Sequence, residues 1–485
     1  MNYAKSLKNL VNRSKEVKAT SAYLVCSVFQ RCLILITLPI FTRLLTTEEY
    51  GISTVYASTL AVAIIFTSLN LPYGSFSPAM MKFKNDRDGY VSAVNTICIL
   101  FSVVYFAVYL LFKGFWNSLV KLPTELMILM GFEMLFNTTI QFWMGKTRFE
   151  YKYKGFVFVT LLMTLLGTIS SILAVIYLPN KGIVKVLANG VVVCIIGFVI
   201  LIQSLAKGKE CFNKEYWKYA LSFNVPLIPY YLSQVIFNQS DRLMINKMTG
   251  KSDAAIYGVA YTLAFVLTFV LNAINDSFVP WMYRRINEKT PQDIKNISLI
   301  IATIMAVLLL GIIAFAPEII YIIGGKKYIS AIWVVPPVAM SLLLLFYSQL
   351  FINVEFYYEE KYKLVRASIL AAIVNVVLNY FGIKIFGFVA AGYTTLISYI
   401  IFAVCNFFAM KSMQNKIKNL DDYYDIPKLI MLFILFVIIG LLFTVLYNYR
   451  WIRVILICIC LCICCFMKRK IKTRVSGFIN SIKSK

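Results

Sequence analysis

The chain is dominated by apolar stretches, each long enough to cross a bilayer as a helix, with short polar connections between them. About twenty apolar residues span the hydrocarbon core in helical form. By this measure the sequence predicts about fourteen spans, at residues 19–45, 50–72, 89–112, 124–144, 155–178, 183–205, 216–245, 253–281, 296–316, 328–353, 364–383, 388–410, 427–447 and 450–467. With 60% hydrophobic and 14% charged residues, a chain of 485 residues also has too little polar surface for a soluble particle. The predicted fold class is therefore an all-α polytopic membrane protein.

Lysine and arginine residues alternate along the connections in a way that predicts orientation. The N-terminal segment and every second connection after it hold at least three lysine or arginine residues each, counted with the flanking residues. The remaining connections hold at most two each. Cytoplasmic segments carry the excess of basic residues, so both termini are predicted to be cytoplasmic. The first eighteen residues are polar and basic and show no signal-peptide pattern. The net charge of +26 is assigned to contacts with anionic membrane lipids, and no nucleic-acid partner is expected.

A weak internal repeat divides the spans into two halves. The fifth and sixth spans, and likewise the eleventh and twelfth, are joined by a short turn next to a glycine. Parallel repeats of this kind occur in transporters that rock around a central site. The predicted organisation is two pseudo-symmetric six-helix bundles plus a C-terminal helix pair, with bundles at 1–205 and 216–412, a cytoplasmic linker at 206–215, the pair at 413–467 and a basic cytoplasmic tail at 468–485.

The stretch from Tyr219 to Ala264 carries the most specific local pattern. Pro226 and Pro229 remove backbone donors and disfavour helical geometry at the residues before them, which predicts a bend or an unwound turn there. After this point polar residues recur at helical spacing and share one face, which lipid cannot satisfy. The residues of this face are Ser233, Gln234, Asn238 and Asp241. We expect Gln234 and Asn238 to contribute to a substrate-binding surface.

Among the charged residues inside predicted spans, Arg31, Glu133 and Asp276 are the candidates for a functional role. Ionisable residues in lipid are costly and mark functional sites, with partners in protein or water. Arg31 either binds substrate directly or forms a structural pair with Glu133, and the sequence leaves both interpretations open. Glu133 and Asp276 are the candidates for an ion-coupling or charge-pair role.

Arg43 and the adjacent pair Asp241 and Arg242 lie near the predicted outer ends of the first and seventh spans. Charged residues at such positions anchor helices at the membrane surface. They are also placed to form a salt bridge between the two halves. We expect these three residues to act either as anchors or as an outer gate.

Signatures of enzymes are nearly absent. The chain has no histidine, which removes the commonest general base and metal ligand. No predicted connection is long enough to hold a separate catalytic domain, which disfavours a polymerase or ligase. The cysteines, five of them between Cys458 and Cys465, are assigned to a lipid-facing helix surface because alternate residues scatter around a helix. No catalytic residue, metal or cofactor is expected.

Three segments carry a resemblance to a known family: PIFTRLLTTEEYG from Pro39, SFNVPLIPYYLS from Ser222 with the DR and YG pairs that follow it, and VNVVLNYFGIKIFGFVAAGYTTLISY from Val374. Together they resemble the bacterial oligosaccharide, or O-antigen repeat-unit, flippases of the multidrug/oligosaccharidyl-lipid/polysaccharide exporter superfamily. The resemblance extends over essentially the whole chain.

This resemblance implies a flippase in the bacterial cytoplasmic (inner) membrane that moves lipid-linked oligosaccharide between leaflets by alternating access. It also implies a cationic, water-accessible cavity, for which Arg31 is the best match. Contact with polysaccharide polymerase machinery is left open. Na⁺ or H⁺ as a coupling ion is left open. The alternative is a cation-coupled multidrug or toxin exporter on the same fold, with which Glu133 and Asp276 are compatible.

Overall fold

The chain folds into long helices, and no strand occurs in the part of the chain that is described. The computed structural model describes residues 15–358, 361–414 and 422–457, with the backbone alone for 15–17 and 361–364. The helices are α1 (Lys15–Leu44), α2 (Thr47–Ser68), α3 (Phe76–Lys82), α4 (Arg87–Leu111), α5 (Lys113–Val120), α6 (Thr124–Phe149), α7 (Tyr153–Tyr177), α8 (Lys181–Gly208), α9 (Lys214–Asn224), α10 (Ile228–Met248), α11 (Lys251–Phe265), α12 (Leu267–Asn287), α13 (Pro291–Ala314), α14 (Ala316–Gly324), α15 (Val335–Tyr357), α16 (Lys361–Phe386), α17 (Ala390–Gln414) and α18 (Ile426–Val445).

Within residues 15–358, 361–414 and 422–457, twelve helical stretches are long and apolar enough to cross a membrane. The all-α membrane fold is confirmed, but the predicted number of fourteen spans is not. The fourth predicted span forms the 26-residue helix α6, which is less apolar than the twelve because it carries residues such as Glu133 and Lys146. Most of the last predicted span, 450–467, lies outside the described residues, as do the cysteines from Cys458 onward.

Local sequence signals explain where helices begin and bend. Thr46 and Glu49 form a capping box at the start of α2, in which each side chain accepts a hydrogen bond from the other's backbone N–H, at 3.2 and 2.8 Å. The bend predicted at Pro226 and Pro229 is confirmed, since a 3₁₀ helix at Val225–Leu227 separates α9 from α10. The predicted connection 317–328 is instead largely helical, formed by α14 and the following 3₁₀ helix Gly325–Trp333.

The chain divides into two compact units, Met1–Ala255 and Ile256–Lys485. In the first unit α6 and α7 pack on α8, α1 packs on α7, and α2 packs on α10. The boundary between the two units comes after α10 in the chain, because α10 packs on α2 and α9 packs on α4, both in the first unit. The pseudo-symmetric bundles with a linker at 206–215 stay a prediction.

The second unit is built around α15, of which 83% of the membrane-length window is buried. Helices α13 and α17 pack on α15, α16 packs on α17, and α18 packs on α13. Within α16, the Asn379 amide donates to Asn375 at 3.1 Å. Between α16 and α17, the Asn375 amide donates to Thr395 at 3.3 Å, and the Thr394 hydroxyl donates to Asn379. These buried amides join neighbouring helices, as expected of polar groups that have no lipid partner.

An ion pair fixes the end of α18 in the second unit. The Arg453 side chain is 2% exposed, forms a salt bridge with Glu318 of α14, and donates to the Tyr447 carbonyl at 3.2 Å. Breaking a buried pair leaves a charge without compensation. Because Glu318 is 33% exposed, we expect Arg453→Ala to lower the free energy of unfolding by only about 2 kcal/mol.

Thermal unfolding of the purified protein in detergent measures this effect. The control is Lys428→Ala, which removes an exposed salt bridge with Asp425 and is expected to change stability by less than ~1 kcal/mol. Equal melting temperatures for the two variants would contradict a stabilising role of the Arg453 pair.

Candidate functional site

Glu133 lies in the interior of the first unit, where its carboxyl group is bonded to neutral side chains. The residue is 5% exposed. It accepts a hydrogen bond from the Tyr56 hydroxyl at 2.6 Å and one from the Asn137 amide at 3.4 Å. Tyr56 belongs to α2, so this acid joins α6 to α2 within one bundle. A buried acid with a phenol as its closest partner can exchange a proton or bind a small cation.

Arg31 is exposed on α1, and the expected pair with Glu133 is not formed. The packed side of α1 is marked by Gln30, which donates to Thr164 at 3.1 Å, and by Tyr23, whose ring packs on Phe156 of α7. Arg31 lies next to this side and is exposed, and none of its described neighbours forms a salt bridge with it. In this structure Glu133 is bonded to Tyr56 and Asn137, and no described salt bridge joins it to Arg31. An exposed guanidinium in an apolar span needs water or an anion as its partner.

The polar face of α10 divides into buried and accessible residues. Ser233 and Asp241 are buried, at 6% and 1% exposure. Gln234 and Asn238 are half-buried, and the Asn238 amide donates to the Gln234 carbonyl at 2.7 Å. The two residues expected to contact substrate are therefore the two that remain accessible.

The three residues expected at the outer end all lie in the first unit. Arg43 is exposed at the end of α1, whereas Asp241 and Arg242 are buried in α10. Arg242 donates to the Asn238 carbonyl at 3.0 Å and to the Gln239 side chain at 2.8 Å. Arg242 is thus tied to its own helix, and its role in a gate stays a prediction.

Asp276, in the second unit, lies on the exposed side of α12. Asn272, one turn earlier, is also exposed. On the packed side of the same helix, Asn275 accepts a hydrogen bond from the Asn353 amide of α15 at 2.8 Å. Asp276 is therefore accessible, in contrast to the buried Glu133.

A set of contacts that the sequence did not predict joins the helix ends at the predicted outer side of the first unit. We call Thr47, Gly51, Lys121, Asn246 and Ser252 the outer latch. The Ser252 hydroxyl donates to that of Thr47 at 2.7 Å, and a Cβ on Gly51 would collide with the backbone of the neighbouring α11. The Asn246 amide donates to a carbonyl at the end of α5 at 3.0 Å, and Lys121 donates to backbone carbonyls at the end of α10 at 3.1 and 3.4 Å. The latch holds α10 and α11 against α2 and α5.

The chain matches the model of one known protein family. A family model described as "Polysaccharide biosynthesis protein" matches residues 17–285, which is more than half of the chain. The chain belongs to this family. As a member of the polysaccharide biosynthesis family it is similar to a protein of the Lsg locus of Haemophilus influenzae, with 22% identity over 380 residues, which are 75% of this chain and 90% of the relative.

Solved structures share the fold of this family member. The lipid II flippase MurJ in an inward closed conformation superposes with a TM-score of 0.58 at 15% identity, covering 89% of this chain and 99% of MurJ. An inward-facing transporter of the MATE family of the MOP superfamily gives 0.59 at 14% identity, covering 80% of this chain and 96% of the transporter. At these identities the likeness concerns the fold alone. The chain is a multi-pass membrane protein that shares its fold with these flippase and transporter structures.

Lys185 is a further candidate site residue of this family member, and the sequence analysis did not identify it. The structure places it in the second turn of α8. Its ammonium group lies 4.5 Å from the ring centroid of Phe41 and 4.3 Å from that of Tyr50, and it donates to the Ser53 hydroxyl at 2.9 Å. The first unit therefore carries a further cation in a membrane-length helix, besides Arg31 and Arg242. Lys185 lies inside the predicted span 183–205, and that position is the signal that could have identified it.

Proposed function

We propose that the protein is a flippase that moves undecaprenyl-pyrophosphate-linked oligosaccharide repeat units from the inner to the outer leaflet of the bacterial cytoplasmic membrane. It would act by alternating access and serve the synthesis of O-antigen, capsule or another exopolysaccharide. The observation that carries the proposal is Arg31, an accessible guanidinium in an apolar span of a polysaccharide biosynthesis family member, without a carboxylate partner in the described chain. A planar guanidinium matches phosphate oxygens through two parallel hydrogen bonds.

The physical task agrees with the arrangement of polar groups. The polyprenyl tail of such a substrate stays in lipid, while its charged and hydroxylated head cannot cross unassisted. We assign Arg31 to the pyrophosphate and Gln234 and Asn238 to sugar hydroxyls. Glu133 and Asp276 are the positions at which a proton or sodium ion would couple, if an ion is used. The outer latch would hold the outer end closed, with Arg43, Asp241 and Arg242 beside it.

A cation-coupled drug or toxin exporter is the second candidate. The MATE-like fold and the two acids, one of them accessible, favour it. Rescue of polysaccharide export in a bacterial mutant lacking its own flippase, scored beside resistance to organic cations in a strain lacking drug exporters, tests the proposal. Export without resistance is the expected result. Resistance without export would replace the flippase with the exporter.

We expect the membrane potential to drive export without an obligatory coupled ion. The substrate head carries negative pyrophosphate, and the cell interior is negative, so each charge gains about 2.3 kcal/mol per 100 mV on moving outward. Two charges would bias the distribution roughly a thousandfold at ~100 mV. The measurement is movement of a lipid-linked sugar in proteoliposomes under a potassium diffusion potential, without sodium or proton gradients.

The control for this prediction is the same vesicle without a potential. Transport that ignores the potential, follows a sodium or proton gradient and is lost in Glu133→Gln or Asp276→Asn would contradict it. That outcome would make the protein an antiporter.

A further inference from the structure

Lys185 has an environment that a purely structural lysine does not require. Its ammonium group has three N–H donors, of which the Ser53 hydroxyl accepts one, while the other neighbours are the faces of Phe41 and Tyr50. No described carboxylate forms a salt bridge with it. The aromatic faces attract the cation and hold it in place, but they do not neutralise its charge.

The position of Lys185 in its helix adds to the cost. It lies near the N-terminus of α8, where the exposed backbone N–H groups already place partial positive charge. An ammonium at this end of a membrane helix is repelled by the helix, and it loses hydration as well. A methionine would fill the same slot between the rings without either cost. The lysine is thus better explained by an anion that it binds than by packing.

The groups around Lys185 suit an oxyanion. The Ser53 hydroxyl lies beside the ammonium on α2, and the Tyr50 ring of the same helix faces the ammonium from one turn earlier. Lysine binds phosphate as a point charge, and hydroxyl groups complete the shell of donors. All these residues belong to the first unit, and Tyr50 directly precedes Gly51 of the outer latch.

We propose that Lys185, held by Phe41 and Tyr50, forms with Ser53 a second oxyanion-binding position, which takes the diphosphate of the transported lipid near the predicted outer end of the first unit. The inference rests on the proposed flippase function. Arg31 and Lys185 would then bind the same diphosphate at different stages of its passage. A phospholipid phosphate shares this chemistry, and the test separates the two sources.

The test compares Lys185→Met with Lys181→Met, which removes an exposed lysine from the first turn of the same helix. Binding of farnesyl diphosphate to purified protein in nanodiscs of neutral lipid is measured together with the melting temperature. We expect Lys185→Met to weaken binding about tenfold or more, because one charge-assisted contact is lost, and to melt at the wild-type temperature or above. Lys181→Met should bind within about twofold of wild type.

The outcomes separate this inference from the proposed function. Undiminished diphosphate binding by Lys185→Met would overturn the inference at any melting temperature, and a lower melting temperature would then make Lys185 a structural residue. Absence of diphosphate binding by the wild-type protein would also overturn the inference, whereas the flippase proposal is decided by the export assay. If phosphatidylglycerol added to the nanodiscs abolishes diphosphate binding in wild type, the position is a phospholipid site, and its assignment to the transported lipid is wrong.

Discussion

Replacing Arg31 by alanine is expected to reduce polysaccharide export roughly 100-fold at unchanged protein level. Two charge-assisted hydrogen bonds from a guanidinium to phosphate are together worth a few kcal/mol, which corresponds to a change of about this size. Arg31→Lys should retain part of the activity, since lysine keeps the charge and loses the planar fork. Export by the rescued mutant cell, normalised to the amount of protein in the membrane, measures both variants.

Two controls separate substrate contact from structure at this position. Gln30→Ala changes the adjacent residue on the packed side of α1 and is expected to leave export nearly normal. The double variant Arg31→Ala, Glu133→Ala should not recover activity, because Glu133 is bonded to Tyr56 instead of Arg31. Normal export by Arg31→Ala, or recovery in the double variant, would contradict the role assigned to Arg31.

A disulfide across the outer latch is expected to slow transport at least about tenfold, and reduction of the disulfide is expected to restore the rate. The hydroxyl groups of Thr47 and Ser252 lie 2.7 Å apart, so cysteines at these two positions come close enough to form a bond. If the outer end must open to release substrate, a covalent link between α2 and α11 traps the protein with that end closed. The measurement is transport in proteoliposomes before and after oxidation of the double variant Thr47→Cys, Ser252→Cys.

The reduced double variant is the internal control, and each single-cysteine variant controls for oxidation of the native cysteines. The reduced double variant should transport like the wild type, and the single-cysteine variants should transport equally with and without oxidant. Full transport by the cross-linked protein, with the link verified by mass spectrometry, would show that these contacts do not open during the cycle.

The features predicted correctly from sequence are those with local signals. The interruption of the helix at Pro226 and Pro229 depends on residues within one turn of each other. Span positions follow from runs of apolar residues. The predicted span that is not among the twelve, α6, carries enough polar residues to be less apolar than the others. The fold class could be predicted from the sequence because membrane helices require long runs of apolar residues.

The side-chain partners could not be predicted because they depend on how each helix is rotated against its neighbours. Glu133 meets Tyr56 from a helix 77 positions earlier, and Ser252 meets Thr47 across 205 positions. Lys185 was missed for the same reason, because its neighbours Phe41, Tyr50 and Ser53 lie on other helices. Residue type indicated which groups needed partners, and packing decided which partners they found.

The central claim, movement of a lipid-linked sugar between leaflets, is tested most directly in proteoliposomes that contain the purified protein. A fluorescent undecaprenyl-pyrophosphate-linked oligosaccharide is placed in the inner leaflet, and its appearance outside is followed with a membrane-impermeant glycosidase. The account predicts protein-dependent exposure of the sugar that is lost in Arg31→Ala, with no transport of an organic cation such as ethidium. Gradient-driven transport of ethidium by the same vesicles, with the sugar lipid left in the inner leaflet, would contradict it.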